Sequence, residues 1–302
     1  MSSDNVVWKI PLRQGASRIT ELAANFDKIL VIGATGRVGS LLRALWPDGM
    51  GVWQSRQPKP GFVTFDPLTA PSDFAAAAHG VAGILCLAGI VPGSGRADGF
   101  EANVQLGLAS IRAANTAGTR VFLASTAAVY GNKTGLLRED TPPLPVAEYG
   151  RSKMQMERVA ARVAVASGVP LTVLRIGNIG GLDAILGNWK PGFQLDQFPD
   201  GTTPHRSYIG VASLAQTLAV LMQTPSLPGC LNIAEPGAIA MGDLLDAAGL
   251  GWSPRPASDT AIARVEMDVS RLSMVTDTLP KNCDPGRLVQ EWRDYSQRGE
   301  PV

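Results

Sequence analysis

Residues 28–39 read Lys28-Ile-Leu-Val-Ile-Gly-Ala-Thr-Gly-Arg-Val-Gly39. Ile29 to Ile32 form a continuous apolar run, the signature of a strand buried on both faces of a parallel sheet. The run enters Gly33, Gly36 and Gly39, and Val38, Leu41, Leu42 and Leu45 follow at helical spacing. Strand, tight turn and helix are therefore adjacent. Glycines let the backbone turn sharply and approach a ligand closely. The helix opens with unpaired N–H groups and the positive end of its dipole, which suits a pyrophosphate. This is a dinucleotide-binding arrangement, spaced G-x-x-G-x-x-G rather than G-x-G-x-x-G. Its expected cofactor contacts are Gly33, Thr35, Gly36, Arg37, Val38 and Gly39.

Outward from this stretch, strand-like and helix-like segments alternate. Strands are expected at 51–56, 62–65, 81–88, 120–125 and 171–176, and helices at 71–78, 99–117 and 147–166. Such alternation implies right-handed crossovers and a parallel sheet with helices on both faces. The predicted fold is α/β, a doubly wound parallel sheet of Rossmann type with a smaller, irregular substrate-binding lobe. Residues 28–176 are assigned to the dinucleotide-binding domain, with 208–235 returning to its core. Residues 177–207 and 236–302 form the lobe, and 1–27 an N-terminal extension with a short helix at 20–26. The spacing predicts a helix at 211–222, a strand at 230–233 and a helix at 241–248. Residues 131–147 read as a proline-rich loop, and the tail past 250 shows no long period. Ligands of open α/β sheets sit at the carboxyl ends of the strands, so the lobe is expected to cover that edge.

Composition narrows the function. The 302 residues are 45% hydrophobic and 18% charged, enough for a sizeable core. The net charge of +1 and the lack of a basic stripe argue against a nucleic-acid partner. Cys86, Cys230 and Cys283 are far apart in the chain, which argues against a disulfide framework or a metal site. No apolar stretch approaches the ~20 residues of a membrane span, and residues 1–27 lack the pattern of a secretory signal. A cytoplasmic protein is expected.

Chemistry enters at the end of strand 120–125, which delivers Ser125 and Thr126. Tyr149-Gly-Arg-Ser-Lys153 then sets Tyr149 and Lys153 at i,i+4 on one helix face. A tyrosine is a poor base at neutral pH, and a neighbouring ammonium favours its phenolate. Such a pair can move a proton beside a carbonyl or alcohol, with Thr126 holding the same oxygen.

Three stretches, Gly33-Ala-Thr-Gly-Arg-Val-Gly39, Leu123-Ala-Ser-Thr-Ala-Ala-Val-Tyr-Gly131 and Tyr149-Gly-Arg-Ser-Lys153, together resemble the extended short-chain dehydrogenase/reductases. More narrowly they resemble the NAD(P)-dependent epimerase/dehydratase family acting on nucleotide sugars. Asn103, Leu174-Arg-Ile-Gly-Asn178 and His205-Arg-Ser-Tyr-Ile-Gly-Val211 extend the resemblance. It implies Tyr149 as general acid/base, Lys153 on the nicotinamide ribose and lowering the tyrosine pKa, Thr126 as the hydroxyl partner and Asn103 as support for the geometry. Asp66 would lie near the adenine, and Ala88 and Gly89 against the cofactor. Ser125, Asn178 and Arg206 are the substrate-side candidates, with Trp189 as a stacking residue. The family often pairs, which implies a homodimer.

Two departures shape the expectation. The end of the second strand reads Trp53-Gln-Ser-Arg56, with no acid for the ribose hydroxyls. Ser55 and Arg56 suit a 2′-phosphate, so NADP is preferred over NAD. Ala127 and Ala128 stand where the sugar dehydratases carry Asp-Glu, which disfavours water elimination. The expected activity is hydride transfer to or from a sugar-nucleotide-like or smaller carbonyl or alcohol substrate, as epimerase or reductase. The alternative is a dinucleotide-binding redox sensor without turnover.

Overall fold

The computed structural model describes residues 26–90 and 101–298. In chain order the elements are β1 (Ile29–Ile32), α1 (Arg37–Leu45), β2 (Gly51–Ser55), β3 (Val63–Thr64), α2 (Pro71–Ala78), β4 (Gly83–Cys86), α3 (Glu101–Ala117) and β5 (Arg120–Thr126). After a 3₁₀ turn at Ala127–Tyr130 come β6 (Leu136–Leu137), α4 (Glu148–Ser167), β7 (Leu171–Ile176), β8 (Asn178–Ile179), β9 (Gln194–Gln197), β10 (His205–Arg206) and β11 (Tyr208–Ile209). The chain ends with α5 (Val211–Gln223), β12 (Cys230–Ile233), β13 (Ile239–Ala240), α6 (Met241–Ala248), β14 (Ser253–Pro256), β15 (Arg264–Met267), α7 (Ser270–Ser273) and α8 (Pro285–Ser296).

The main sheet has seven strands in the order β12-β7-β5-β4-β1-β2-β3, all parallel. The doubly wound expectation holds. Alternation along β1 shows why. Ile29 and Val31 pack into one core with Leu41 and Leu42 of α1 and Leu214 and Leu218 of α5. Leu30 and Ile32 pack into a second core with Phe74 of α2, Ala113 of α3 and Met156 of α4. A strand apolar at every position thus feeds two cores, one per sheet face.

Three expectations change. The loop at 131–147 contains β6, which pairs with β15, so this segment joins a small sheet ordered β13-β10-β15-β6. Segment 177–207 of the lobe, expected to be irregular, holds the short strands β8, β9 and β10. The tail carries α8, whose Asp284 caps the Arg287 amide at 2.7 Å with Pro285 in the first turn. Leu288, Val289 and Tyr295 are its buried residues. Pro285 begins this helix, because Pro suits the first helical position. The helix expected at 20–26 lies outside the described residues except for Phe26.

Candidate active site

The glycine turn separates packing from binding. Gly33 has φ +82°, and a Cβ there would stand 2.6 Å from the Ala88 amide nitrogen of the strand-end loop after β4. Gly39 has no room for a Cβ against Ala34. At Gly36 a Cβ would meet only the Gly33 carbonyl at 3.3 Å, so packing leaves this residue open to a ligand. Gly36 also caps α1 without any side-chain hydrogen bond, so no side chain covers the first helix amides. That arrangement fits a pyrophosphate.

An open cleft of about 240 Å³ runs along the carboxyl ends of β1, β2 and β4. Gly33, Thr35, Gly36, Arg56, Asp66, Ala88 and Gly89 all line it. Ser55 does not: it is buried, and its hydroxyl accepts from the Gln57 amide. Arg37 reaches the other way and donates to the Leu182 carbonyl at 2.8 Å. Val38 packs against the core. Gln54, which the sequence reading passed over, is 2% exposed. It accepts from the Gly33 amide at 3.1 Å and donates to the Phe65 carbonyl at 2.6 Å. Asp66 accepts from the Leu68 amide at 2.9 Å and so forms the strand-end turn while also facing the cleft. A larger hollow of about 410 Å³ lies at the opposite edge, by Val81, Arg120 and Val169. It is at the amino ends of the strands, away from these groups and from the edge where such folds bind ligands.

Tyr149, Thr126, Lys153 and Asn103 converge beside this cleft. Tyr149 is half-buried and hydrogen-bonded to Thr126. Thr126 also accepts from the Ala128 amide at 3.2 Å. Gly150 makes the approach possible, since a Cβ there would stand 2.6 Å from the Ala128 carbonyl. Lys153 is 4% exposed and donates to the Ala124 carbonyl at 2.9 Å. A Cβ on Gly89 would lie 3.0 Å from Lys153 Nζ and 2.8 Å from Asn103 Oδ1, so the three crowd one point. Asn103 is fully buried. It accepts from the Ile90 amide at 2.8 Å and donates to Ser152 Oγ at 3.0 Å, while Ser152 donates to the Tyr149 carbonyl at 2.9 Å.

The electrostatics differ from the expectation that Lys153 lowers the phenol pKa. Burial pushes the Tyr149 phenol up, and the Thr126 hydrogen bond only partly opposes this. Burial also pulls the Lys153 ammonium down, against Cys86 and Glu157. Desolvation penalises both charged forms and is the largest influence on each.

The substrate-side candidates scatter. Ser125 is 5% exposed and donates its hydroxyl to buried Glu157, so it is unavailable to a ligand. Asn178 bonds the hydroxyl of Tyr208, a fully buried residue that also donates to Asp183 at 2.9 Å. Arg206 is half-buried and donates to the His205 carbonyl at 2.7 Å. His205 Nδ1 lies 2.9 Å from the Thr203 carbonyl. Trp189 donates to the Gly251 carbonyl at 3.0 Å and packs in the lobe core.

A parallel doubly wound sheet, with a helix amino terminus open to phosphate at its carboxyl edge, defines a dinucleotide-binding protein of the short-chain dehydrogenase/reductase class. The sequence model of the NAD-dependent epimerase/dehydratase family matches residues 29–188, and the chain belongs to that family. A UDP-glucose 4-epimerase from Azospirillum brasilense is 30% identical over 240 residues, 65% of this chain and 68% of that enzyme. A UDP-glucose 4-epimerase structure from Stenotrophomonas maltophila, with bound NAD and formylated UDP-arabinopyranose, superposes with TM-score 0.74 at 20% identity. It covers 90% of this chain and 99% of that one. MoeE5 in complex with UDP-glucose and NAD superposes with TM-score 0.73 at 22% identity and the same coverage. Family membership carries the enzyme reading over the sensor. Among the described residues no cluster of metal-ligating side chains occurs, and no helix is long and apolar enough to cross a membrane.

Proposed function

We propose that the protein is an NAD-linked epimerase acting on a nucleotide sugar, with Tyr149, Thr126 and Lys153 as its catalytic set. The observation that carries this reading is the Tyr149–Thr126 hydrogen bond at the carboxyl edge of the sheet, with buried Lys153 on the same helix face. The nicotinamide supplies a hydride acceptor and donor. Gly36 and the first amides of α1 would hold its pyrophosphate, and Ala88 and Gly89 would lie along it. Lys153 would hold the nicotinamide ribose. Burial favours the protonated Tyr149 in the free site, which suits it as the acid, and beside the positive charge of a bound oxidised cofactor Tyr149 would serve as the base. Asn103 fixes the Ile90 backbone and, through Ser152, the first turn of α4. Residues 177–207 and 236–302 are the proposed substrate lobe, with Arg206 toward the substrate's anionic group. Ala127 and Ala128 carry no proton-transferring group, which supports epimerisation over dehydration. A homodimer is proposed on the family resemblance alone.

The second reading is an NADP-linked reductase, and Arg56 favours it. Arg56 is exposed on the cofactor cleft. Ser55 gives it no help, and Asp66 on the same rim opposes a 2′-phosphate, so NAD is the cofactor proposed here. Titration with both dinucleotides decides the cofactor, and tighter NADP binding favours the reductase.

Tyr149→Phe tests the catalytic set. Turnover of UDP-glucose to UDP-galactose should fall by about 10²–10⁴-fold with the thermal midpoint unchanged. Wild-type turnover in that variant would remove Tyr149 from the mechanism.

A further inference from the structure

A buried polar cluster lies behind the site, and the chemistry above leaves it unused. Glu157, one turn beyond Lys153 on α4, is 8% exposed. Arg175, near the end of β7, places Nε 3.2 Å from each of its oxygens and Nη2 2.8 Å from Oε2. Ser125 donates its hydroxyl to the same carboxylate. Arg175 also donates to the Tyr130 hydroxyl and the Glu139 carbonyl, each at 3.0 Å. Tyr130 in turn donates to Asn232 at 2.7 Å.

Three of the segments gripped here border a site residue. Ser125 precedes Thr126. Tyr130 closes the turn that follows Thr126. Glu157 follows Tyr149 and Lys153 at spacings of eight and four, on the same helix face. A buried ion pair is a poor stabiliser, because desolvating two charges offsets most of their attraction, and apolar replacements are often as stable. Stability alone therefore does not account for it.

We propose that Glu157, clamped by Arg175 and Ser125, is a positioning residue: one turn beyond Lys153 on the same helix face, it fixes through Ser125 the strand end whose Ala124 carbonyl receives Lys153 and whose Thr126 meets Tyr149. The groups facing Lys153 come from several elements. Cys86 faces it from β4, uncharged Asn103 from α3, and Tyr149 and Glu157 from α4 itself. Arg175 of β7 faces Glu157 in turn. Burial pulls the ammonium down, and Cys86 and, after it, Glu157 oppose this. The hold of Glu157 through Ser125 is mechanical, because β5 has no slack between Ser125 and Thr126.

This inference rests on the Tyr149–Thr126–Lys153 reading, and the test separates the two. In the full chain, lysine Cε is labelled with ¹³C, and the Lys153 signal is assigned by its loss in Lys153→Met. Glu157→Gln should lower the Lys153 titration midpoint by about one pH unit. The double variant Glu157→Met with Arg175→Met removes an ion pair whose two fields at Lys153 largely cancel, so it should leave that midpoint near wild type while releasing the grip on Ser125. In the folded variants kcat should fall about tenfold or more and KM should change far less, and in Glu157→Gln the alkaline limb of kcat should move to lower pH. If Glu157→Gln fails to fold, the double variant decides. A folded double variant with the wild-type kcat overturns the proposal. If Tyr149→Phe and Lys153→Met retain turnover, the catalytic reading fails instead, whatever the Lys153 titration shows.

Discussion

Gly33 and Gly36 lie three residues apart in one turn, yet space constrains them differently. Gly33 has a positive φ and a backbone atom in the path of any Cβ, whereas Gly36 has an extended φ of −79° and open surroundings. Gly33→Ala should cost about 1–3 kcal/mol from the dihedral alone, seen as a lower urea midpoint. Gly36→Ala should keep the wild-type midpoint but weaken dinucleotide affinity about tenfold, equivalent to about 1.4 kcal/mol. Unchanged affinity would mean that phosphate does not approach there. The spacing of the glycines was legible in the sequence, but their division of labour was not, because it depends on Ala88 arriving from β4. The same holds for Tyr149 and Lys153. Their shared helix face follows from i,i+4 spacing, whereas the direction of each pKa follows from burial.

At the scale of elements, α8 shows how a helix can hide in a proline-rich tail. Asp284-Pro285 followed by apolar Leu288, Val289, Trp292 and Tyr295 is a legible start and stripe. The period is short, and nothing in the sequence says what it packs on. In the structure Arg287 pairs with fully buried Glu235 at 2.5 Å. Glu291 accepts from the Ala212 and Ser213 amides at 2.9 and 3.1 Å, which caps α5 from another helix. Gly210 has no Cβ because that carboxylate lies against it. Asp284→Ala removes the cap of α8 and should cost about 1 kcal/mol in urea denaturation. No measurable loss would show that α8 does not depend on its cap.

For the whole molecule, buried acids predict a pH dependence of stability. Burial pushes Tyr130, Cys230 and Cys283 each up to about 12. Unfolded cysteine and tyrosine release protons near 8.5 and 10, so above about pH 9 the unfolded chain holds fewer protons than the folded one. Stability must then fall as pH rises. The thermal midpoint should decline between pH 8 and 10.5, and Cys230→Ala or Cys283→Ala should flatten the decline. A level profile in the wild type would contradict the burial of these groups. Much of the architecture was legible, because local pattern encodes it: the apolar β1 run, the glycine turn and the i,i+4 pair each act within a few residues. Long-range pairing is not encoded in that way. β6 looked like loop because its partner β15 lies more than a hundred residues on, and Ser125 looked like a substrate contact because Glu157 and Arg175 were out of view. The sequence by itself determined the doubly wound sheet, the family and the candidate catalytic set. Only the tertiary structure decided which polar groups face the cleft and which face each other, since burial and the partners that offset it exist only once distant segments meet.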